Sequence, residues 1–291
     1  MTETTTAPGP DQGFPYGVGR SSGPDAPIEY SRYDVASALA VLERSQEAEE
    51  PQEIVSLSDE QLLGLDGHLR TQPVALPWAE EHEEQRALLA TAGVRSLLAA
   101  GTVAVGEDEG TGERRWLVEP AIDGVLVLRR TARLIASAET QVRSEEAGLQ
   151  THRLYYFVHP EGVLEEEVTG SGLHHFRSLR QEAVPARIAH LVDQDQVASG
   201  PTEPVVLQDA DLREGASMAQ RLADARAITI LSSLSTRSDA VKQLMLYATS
   251  SELLAQQVDD PEAEAPEITV KGLSREELLG LAAWLVEAEE G

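Results

Sequence analysis

The sequence predicts an α+β fold in which two related halves, each a β-meander followed by a helix, form a largely antiparallel sheet flanked by further helices. The first observation behind this prediction is an internal repeat: Phe176–Val192 aligns without gaps with Val270–Val286. The second is a weaker match just upstream, between Arg153–Val168 and Gln243–Val258. The third is the order of patterns in each repeat, short strand-like segments closed by a helix. Repetition on this scale is typical of two similar supersecondary units packed together.

The halves are expected at residues 120–192 and 205–288, within one α+β domain that covers 54–291. Residues 1–53 predict a disordered acidic tail, because Thr, Pro, Gly and Ser dominate its start and an acidic run ends it. One short amphipathic helix is expected in this tail at Tyr33–Arg44, where apolar residues recur at helical spacing. That helix either docks a partner or packs on the chain's own domain, and the sequence leaves both open.

Helices and one hairpin are expected between the tail and the strands. The first helix begins with a capping box at Ser58 and Gln61. The second covers Glu80–Ala100 and stops before Gly101. The hairpin pairs Thr102–Val105 with Trp116–Val118 and has a long loop at its tip. The next segment, Pro120–Arg130, fits a helix or a buried strand, and periodicity does not decide between them.

Each half is expected to contain four strands and a closing helix. In the first half they are Leu134–Val142, Arg153–Val158, Val163–Val168, Leu173–Leu179 and a helix from Pro185 to Val192. In the second they are Ala227–Leu234, Gln243–Thr249, Leu253–Val258, Glu267–Val270 and the helix Glu276–Glu287. A polar loop is expected at Arg143–Thr151, and a helix between the halves at Asp209–Ala223. Ser274 and Glu277 form a second capping box.

Composition excludes several classes of function. The formal net charge is −27, which argues against nucleic acids and anionic membranes as partners, since both need a basic surface. A basic protein partner is compatible with this charge, although solubility is the favoured explanation of it. The chain has no cysteine, so disulfides, cysteine nucleophiles and thiolate metal sites are excluded. Without a signal peptide or a long apolar run, we expect a soluble, cytoplasmic protein.

Residues with catalytic potential do not form a recognisable motif. His174 and His175 are neighbours on an expected strand, so their side chains face opposite ways and do not converge on a metal. Glu165–Glu167 are expected to be a solvated strand end rather than a pair of catalytic acids. Arg129, Arg130 and Arg133 are expected to form salt bridges, and His190 and Trp284 to be equivalent helix positions packed against the sheet.

No phosphate loop, dinucleotide fingerprint or serine-hydrolase elbow is present. We therefore expect a protein that is not an enzyme and has no catalytic, cofactor-binding or metal-binding residues. The alternatives are a regulatory or structural interaction module and an enzyme whose site assembles from scattered residues such as His174, His175, Arg177 and Glu165.

The layout of the chain resembles the EspG family, the cytosolic chaperones of actinobacterial type VII (ESX) secretion. The resemblance rests on Leu97–Val105, on Val118–Leu134 and on the two paired helix ends LRQEAVPARIAHLV and LSREELLGLAAWLV, and it covers Ser58 to Glu287. It implies a quasi-twofold core of two sheet–helix halves. It also implies a non-enzymatic chaperone or adaptor that keeps protein partners, helical-hairpin secretion substrates, competent for export.

A sheet-proximal loop contacts the substrate in that family, and by position the corresponding loop here is Arg143–Thr151. The resemblance therefore implies partner-binding roles for Arg143, Glu145, Glu146 and Leu149. Oligomeric state does not follow from the sequence.

Overall fold

The computed structural model describes residues 21, 23–46, 50–107, 114–144, 148–208, 217–236, 238, 241–259 and 267–287. The chain divides into two compact units. The first unit contains Met1–Thr131 and Leu164–Ser178, and the second contains Ala132–Val163 and Leu179–Gly291.

Ten strands form one antiparallel sheet in the described part of the chain, and a two-stranded hairpin lies apart from it. The strands are β1 (Gln52–Ser58), β2 (Val103–Glu107), β3 (Arg114–Val118), β4 (Leu134–Ser144), β5 (Gly148–His159), β6 (Gly162–Val168), β7 (Leu173–Leu179), β8 (Val205–Gln208), β9 (Ala227–Ser235), β10 (Val241–Ala248), β11 (Leu253–Asp259) and β12 (Glu267–Gly272). Their order in the large sheet is β1-β7-β6-β5-β4-β9-β10-β11-β12-β8.

This order confirms the predicted fold class. The meander β4 to β7 runs outward on one side, and the meander β9 to β12 runs outward on the other. The first strands of the two meanders, β4 and β9, pair with each other, with Ala138 opposite Leu231. The helices of the described residues are α1 (Arg32–Gln46), α2 (Asp59–Asp66), α3 (Pro77–Glu80), α4 (Arg86–Ala100), α5 (Pro120–Thr131), α6 (Val184–Val192), α7 (Ser217–Ala223) and α8 (Arg275–Val286). One of them closes each meander, α6 after β7 and α8 after β12.

Two close helix pairs organise the first unit, α1 against α5 and α2 against α4. Both contacts are made at glycines. A Cβ on Gly93 of α4 would collide with the carbonyl of Glu60, and one on Gly124 of α5 would collide with the carbonyl of Ser37. Because glycine has no side chain, the helix backbones lie in direct contact at these two positions.

The core of the second unit lies between α6, α8 and one face of the sheet. It is built from alternate residues of the strands, among them Ala136, Tyr156, Leu231 and Leu246, all at most 1% exposed. Helix α7 covers the opposite face at the β11–β12 side, where Met218 packs with the buried Leu254, Ile268 and Val270. Because side chains alternate along a strand, one face of the sheet packs against α6 and α8, and the opposite face packs against α7 at the β11–β12 side.

Both lysines of the chain hold helix α8. The ammonium group of Lys242 donates to the carbonyl oxygens of Trp284 (2.9 Å) and Glu287 (3.1 Å) and lies 4.7 Å from the centre of the Trp284 ring. Lys271 donates to the Glu277 carboxylate at the first turn. A cation at the last carbonyls complements the helix dipole and satisfies acceptors that have no partner within the helix.

Replacing Lys242 with methionine is expected to lower the free energy of unfolding by about 0.5–1 kcal/mol, because the last turn of α8 loses its cation. Amide hydrogen exchange should report faster exchange in that turn. Lys271→Met is the matched control, since it removes the other lysine while leaving the last turn intact. Equal exchange of the last turn in both variants would contradict the assignment.

Several predicted boundaries need correction. Strand β1 begins at Gln52, inside the expected tail, because it pairs with β7. The expected helix Glu80–Ala100 is three elements: α3, a 3-10 turn at Glu83–Gln85, and α4, which therefore begins after the acidic residues. Pro120–Thr131 is a helix, which decides the open alternative. His190 is exposed and Trp284 is 42% exposed, so the prediction that both pack against the sheet is wrong.

The predicted loop Arg143–Thr151 is also wrong. Strand β4 continues to Ser144 and β5 begins at Gly148, so this stretch is the end of a hairpin in which Arg143 lies opposite Leu149. On the described residues, His174 and His175 do face opposite ways, as expected: His174 is fully buried, whereas the His175 ring is hydrogen bonded to Ser56 (2.7 Å).

Candidate functional site

A cluster of buried charges fills the interior of the first unit. The Arg129 guanidinium donates to both carboxylate oxygens of Glu166 (2.8 and 3.1 Å) and to Asp66 (2.6 Å). The His174 ring lies between Glu166 and Asp59, with each ring nitrogen 2.6 Å from a carboxylate oxygen. Arg130 binds the other oxygen of Asp66 (2.7 Å). Three anions thus meet three cations when His174 is protonated.

Secondary structure places each member of this cluster. The two ends of α2 supply Asp59 and Asp66, α5 supplies the arginines, and β6 and β7 supply Glu166 and His174. A capping box at Ser58 and Gln61 fixes the start of α2, as predicted. The backbone N–H of Ala79 donates to the second oxygen of Asp59 (2.9 Å), so that carboxylate is fully engaged.

The ionisation of the cluster follows from these contacts. Burial alone would lower the pKa of His174, but hydrogen bonds to Asp59 and Glu166 and the charge of Glu166 outweigh it and raise that pKa. Burial alone would raise the pKa of Glu166, but the Arg129 charge and the His174 hydrogen bond outweigh it and lower that pKa. These contacts therefore stabilise the charged forms of both His174 and Glu166.

This cluster contradicts the expectation that Glu165–Glu167 are a solvated strand end. Glu165 and Glu166 are both fully buried, and Glu165 and Glu167 bind Arg177 at 3.2 and 2.6 Å. The residues named for an assembled enzyme site are thus held by partners: Arg177 by Glu165, and His174 by two carboxylates. The expected salt bridges are found for Arg129 and Arg130. A fully buried group whose hydrogen bonds are all made serves to position elements.

A second candidate lies on the sheet face of the second unit that is opposite to α6 and α8. We call it the open face and define it by residues of four adjacent strands: Ile135, Ser137 and Glu139 of β4, Arg153 and Tyr155 of β5, Ile228, Ile230, Ser232 and Leu234 of β9, and Val241, Gln243, Met245 and Tyr247 of β10. None of these side chains is buried, whereas most of the residues that alternate with them in the middle of each strand are.

Apolar side chains on the open face form two groups. At one end, Leu234 lies opposite both Ile135 and Val241; Leu234 is 47% and Val241 is 64% exposed. At the other end, Ile228 is 37% exposed and lies opposite Tyr247, while Ile230 lies opposite Met245. Tyr247 also packs against the Met218 cluster under α7, so this end is partly covered. Apolar residues on adjacent strands form a continuous surface, and exposed apolar surface of this kind marks interaction sites.

Polar contacts between the apolar groups hold the open face in shape. The hydroxyl groups of Ser137 and Ser232 are 2.8 Å apart across β4 and β9. The Arg153 guanidinium donates to Glu139 (2.9 Å) across β4 and β5. Because these groups satisfy one another within the sheet, a partner can cover them with little desolvation of unpaired charge.

The structure brings two of the four predicted partner-binding residues together. Arg143 and Leu149 face each other at the β4–β5 hairpin end, and Leu149 is 65% exposed. By strand alternation they share the side of the sheet that carries the open face. Glu145 and Glu146 lie outside the described residues.

Sequence reasoning missed the main apolar residues of this surface, Ile228, Ile230, Leu234, Val241 and Met245. A signal for them exists in β9, whose sequence AITILSSLS places apolar residues on both faces of the strand. A strand with one solvated face is expected to alternate apolar and polar residues. The excess of apolar residues on the second face makes that face a candidate interaction surface.

Two other features, a metal-binding cluster and a helix that could cross a membrane, are absent from the described ranges. No three His, Asp or Glu side chains there are placed to hold a metal ion together. Among the helices with described residues, none has the length and apolar character needed to cross a membrane.

Comparison with known proteins gives one structural neighbour to report. The sequence matches no protein-family model, and no curated protein matches it. Among solved structures, the chain is similar to the type VII secretion system chaperone EspG5 of Mycobacterium tuberculosis, solved in complex with a PE25–PPE41 dimer. The match has 11% sequence identity and a TM-score of 0.45, and it covers 67% of this chain and 83% of that one. Values this low carry no assignment of function.

Proposed function

We propose that the protein is a non-enzymatic, cytoplasmic chaperone or adaptor that binds another protein through its open face. The observation that carries this proposal is the pair of apolar groups on β9 and β10, one well exposed around Leu234 and Val241 and one half-buried around Ile228. The face is formed by regular strands, which hold side chains in fixed positions for recognition. The buried charge cluster offers no competing site, because its members bind one another.

Chemistry of the open face indicates what kind of partner fits it. Its two ends are apolar, polar side chains between them bind one another, and the protein as a whole is strongly acidic. A partner with an apolar stripe and a basic surround matches both properties. An amphipathic helical hairpin of a type VII secretion substrate has such a stripe, and we propose this class of partner from the resemblance in sequence layout. A regulatory or structural module would use the same face for a different purpose.

Replacing Leu234 and Val241 together with glutamine and threonine is expected to weaken partner binding roughly 10–100-fold, because two exposed apolar anchors are lost. Tagged full-length protein and this double variant would each be used for affinity capture from the cytosol of the native organism, followed by mass spectrometry. The variant is expected to lose whatever the parent protein captures in stoichiometric amount. Leu88→Gln is the matched control, since Leu88 is 65% exposed on α4.

Four outcomes discriminate between the chaperone hypothesis, the interaction-module hypothesis and a binding site elsewhere. Loss of the partner in the open-face variant and its retention in Leu88→Gln support the proposal. Retention in both variants overturns the open face as the binding site. If the purified partner aggregates alone but stays soluble with the protein in a light-scattering assay, the protein is a chaperone; if the partner is soluble without it, the protein is an interaction module.

A further inference from the structure

Asp123 is a buried carboxylate in the contact between α1 and α5. It is 1% exposed, and one of its carboxylate oxygens has no hydrogen-bond partner. Next to it, a Cβ on Gly124 would lie 2.7 Å from the carbonyl carbon of Ser37 and 2.9 Å from a methyl group of Val41. The two helices therefore touch where the carboxylate is buried, and the charged form of Asp123 loses solvation that only the Ser37 hydrogen bond replaces.

Charges around Asp123 add to the effect of burial. Burial, followed by repulsion from Asp34 of α1, raises the pKa of Asp123 to about 6, and the hydrogen bond from Ser37 opposes this only in part. Strand β1 also contacts both helices. Its charged residue Glu53 has a side chain that is 85% exposed and lies 3.8 Å from Arg177. In the described residues no cation is placed against Asp123 to neutralise it.

We propose that α1 is a detachable helix whose docking onto α5 is controlled by the protonation of Asp123. Neutral Asp123 fits the contact between the helices, whereas the carboxylate opposes it together with Asp34. Detachment of α1 uncovers the apolar side chains of Ala38, Val41 and Leu42, which then become available to a partner. This inference does not depend on the open face.

The direction of the pH dependence follows from the two states of Asp123. In the docked state its pKa is about 6, and in the detached state the carboxyl group has its ordinary value of 3.8. The docked state therefore holds the proton more tightly between these values, and docking weakens as the pH rises through this range. The equilibrium constant for detachment is expected to rise about 60-fold from pH 4 to pH 7.5.

Thiol labelling measures this equilibrium directly, because the chain has no cysteine of its own. Ala38→Cys places the only thiol on the docked face of α1, at a position 6% exposed, and Leu39→Cys places it on the outer face, at a position 42% exposed. The ratio of the two labelling rates in the full chain gives the detached fraction. Because both thiols titrate alike once exposed, the ratio cancels the effect of pH on the reagent.

We expect this ratio to rise about 60-fold across the stated pH range and to be flat in the Asp123→Asn background. Asp34→Asn should reduce the rise of the labelling ratio, since it removes the charge that faces Asp123. Asparagine keeps a side-chain oxygen that can accept the hydrogen bond from the backbone N–H of Ser31. A flat ratio in the parent chain, or an undiminished rise in Asp123→Asn, overturns the proposal. If Ala38→Cys does not fold, Val41→Cys reports on the same face, at 1% exposure.

Discussion

Replacing Arg129 with methionine is expected to lower the free energy of unfolding by about 3–5 kcal/mol. The substitution keeps an apolar stem like that of arginine but removes the cation that binds Glu166 and Asp66. Arg129 and Glu166 both have fully buried side chains, so water cannot take over the lost contacts. The cost arises from uncompensated buried carboxylates rather than from the loss of one favourable pair.

Urea unfolding followed by circular dichroism would measure this loss. Arg153→Met is the matched control, because Arg153 makes a single carboxylate contact on the open face, with side chains that are 20% and 33% exposed. Exposed pairs of this type contribute at most about 1 kcal/mol. A deficit in Arg129→Met no larger than that in Arg153→Met would contradict the view that the buried cluster positions the elements of the first unit.

The deficit of Arg129→Met should also depend on pH. In the parent protein the Arg129 charge lowers the pKa of Glu166, with the help of His174. Without that charge, burial raises the pKa of Glu166 above its value in the parent. The variant therefore takes up a proton at a higher pH, and its deficit relative to the parent shrinks as the pH falls. A deficit that grows toward low pH would point to a different cause.

The duplicated meander could be predicted because each of its strands carries a local pattern. Strand β7 has the predicted bounds, Leu173–Leu179. The two meanders meet where their first strands, β4 and β9, pair with each other. The capping boxes at Ser58 and Ser274 were likewise predictable, since each depends on residues three positions apart. Each of these features depends only on residues that are close together in the sequence, so the sequence pattern alone is enough to predict it.

The hairpin end at Arg143–Thr151 was predicted as a loop because its side chains are polar or exposed, as those of loops usually are. Gln141, Arg143, Leu149 and Gln150 are all exposed, so no buried face imposes the alternation by which strands are recognised. What forms the strands here is pairing between β4 and β5, which extends past the core. Backbone pairing leaves no mark on side-chain composition.

The buried charge cluster was missed for a different reason. Glu166 lies in a run of three glutamates, which from composition alone indicates solvent exposure. Its burial requires Arg129, which is 37 residues away, and Asp66 lies 63 residues before Arg129. Only the tertiary fold brings β6, α5 and α2 to one point, and no pattern within any one of these segments encodes the pairing.

Replacing Gly93 with alanine is the second change expected to have a large effect, a loss of roughly 3 kcal/mol in the free energy of unfolding. The new Cβ would meet the carbonyl of Glu60 and lie 2.6 Å from the backbone nitrogen of Gln61. Both obstacles are backbone, so no rotamer change relieves the collision and α2 must move away from α4. Gly64 of α2 reinforces the contact, since its own Cβ would lie 2.7 Å from the Ala90 carbonyl oxygen.

Gly280→Ala is the matched control in helix α8. A Cβ at Gly280 meets nothing within 4 Å, so only the helix propensity changes. Alanine is favoured over glycine there by about 0.5–1 kcal/mol, and this variant should be more stable than the parent. The same substitution is thus expected to have opposite signs at the two positions. A stabilising Gly93→Ala would show that α2 and α4 are not in close contact.

The effects of Gly93→Ala and Arg129→Met should not add, because α2 links them. Helix α2 carries Asp59 at its start and Asp66 at its end, and these two residues bind His174 and Arg129. When Gly93→Ala displaces α2, the ion pairs of Asp59 and Asp66 are already weakened. Removing Arg129 from that variant therefore costs less stability than removing it from the parent protein. The double variant is therefore expected to lose less stability than the sum of the two single variants. Strict additivity would mean that the glycine contact and the charge cluster fix α2 independently.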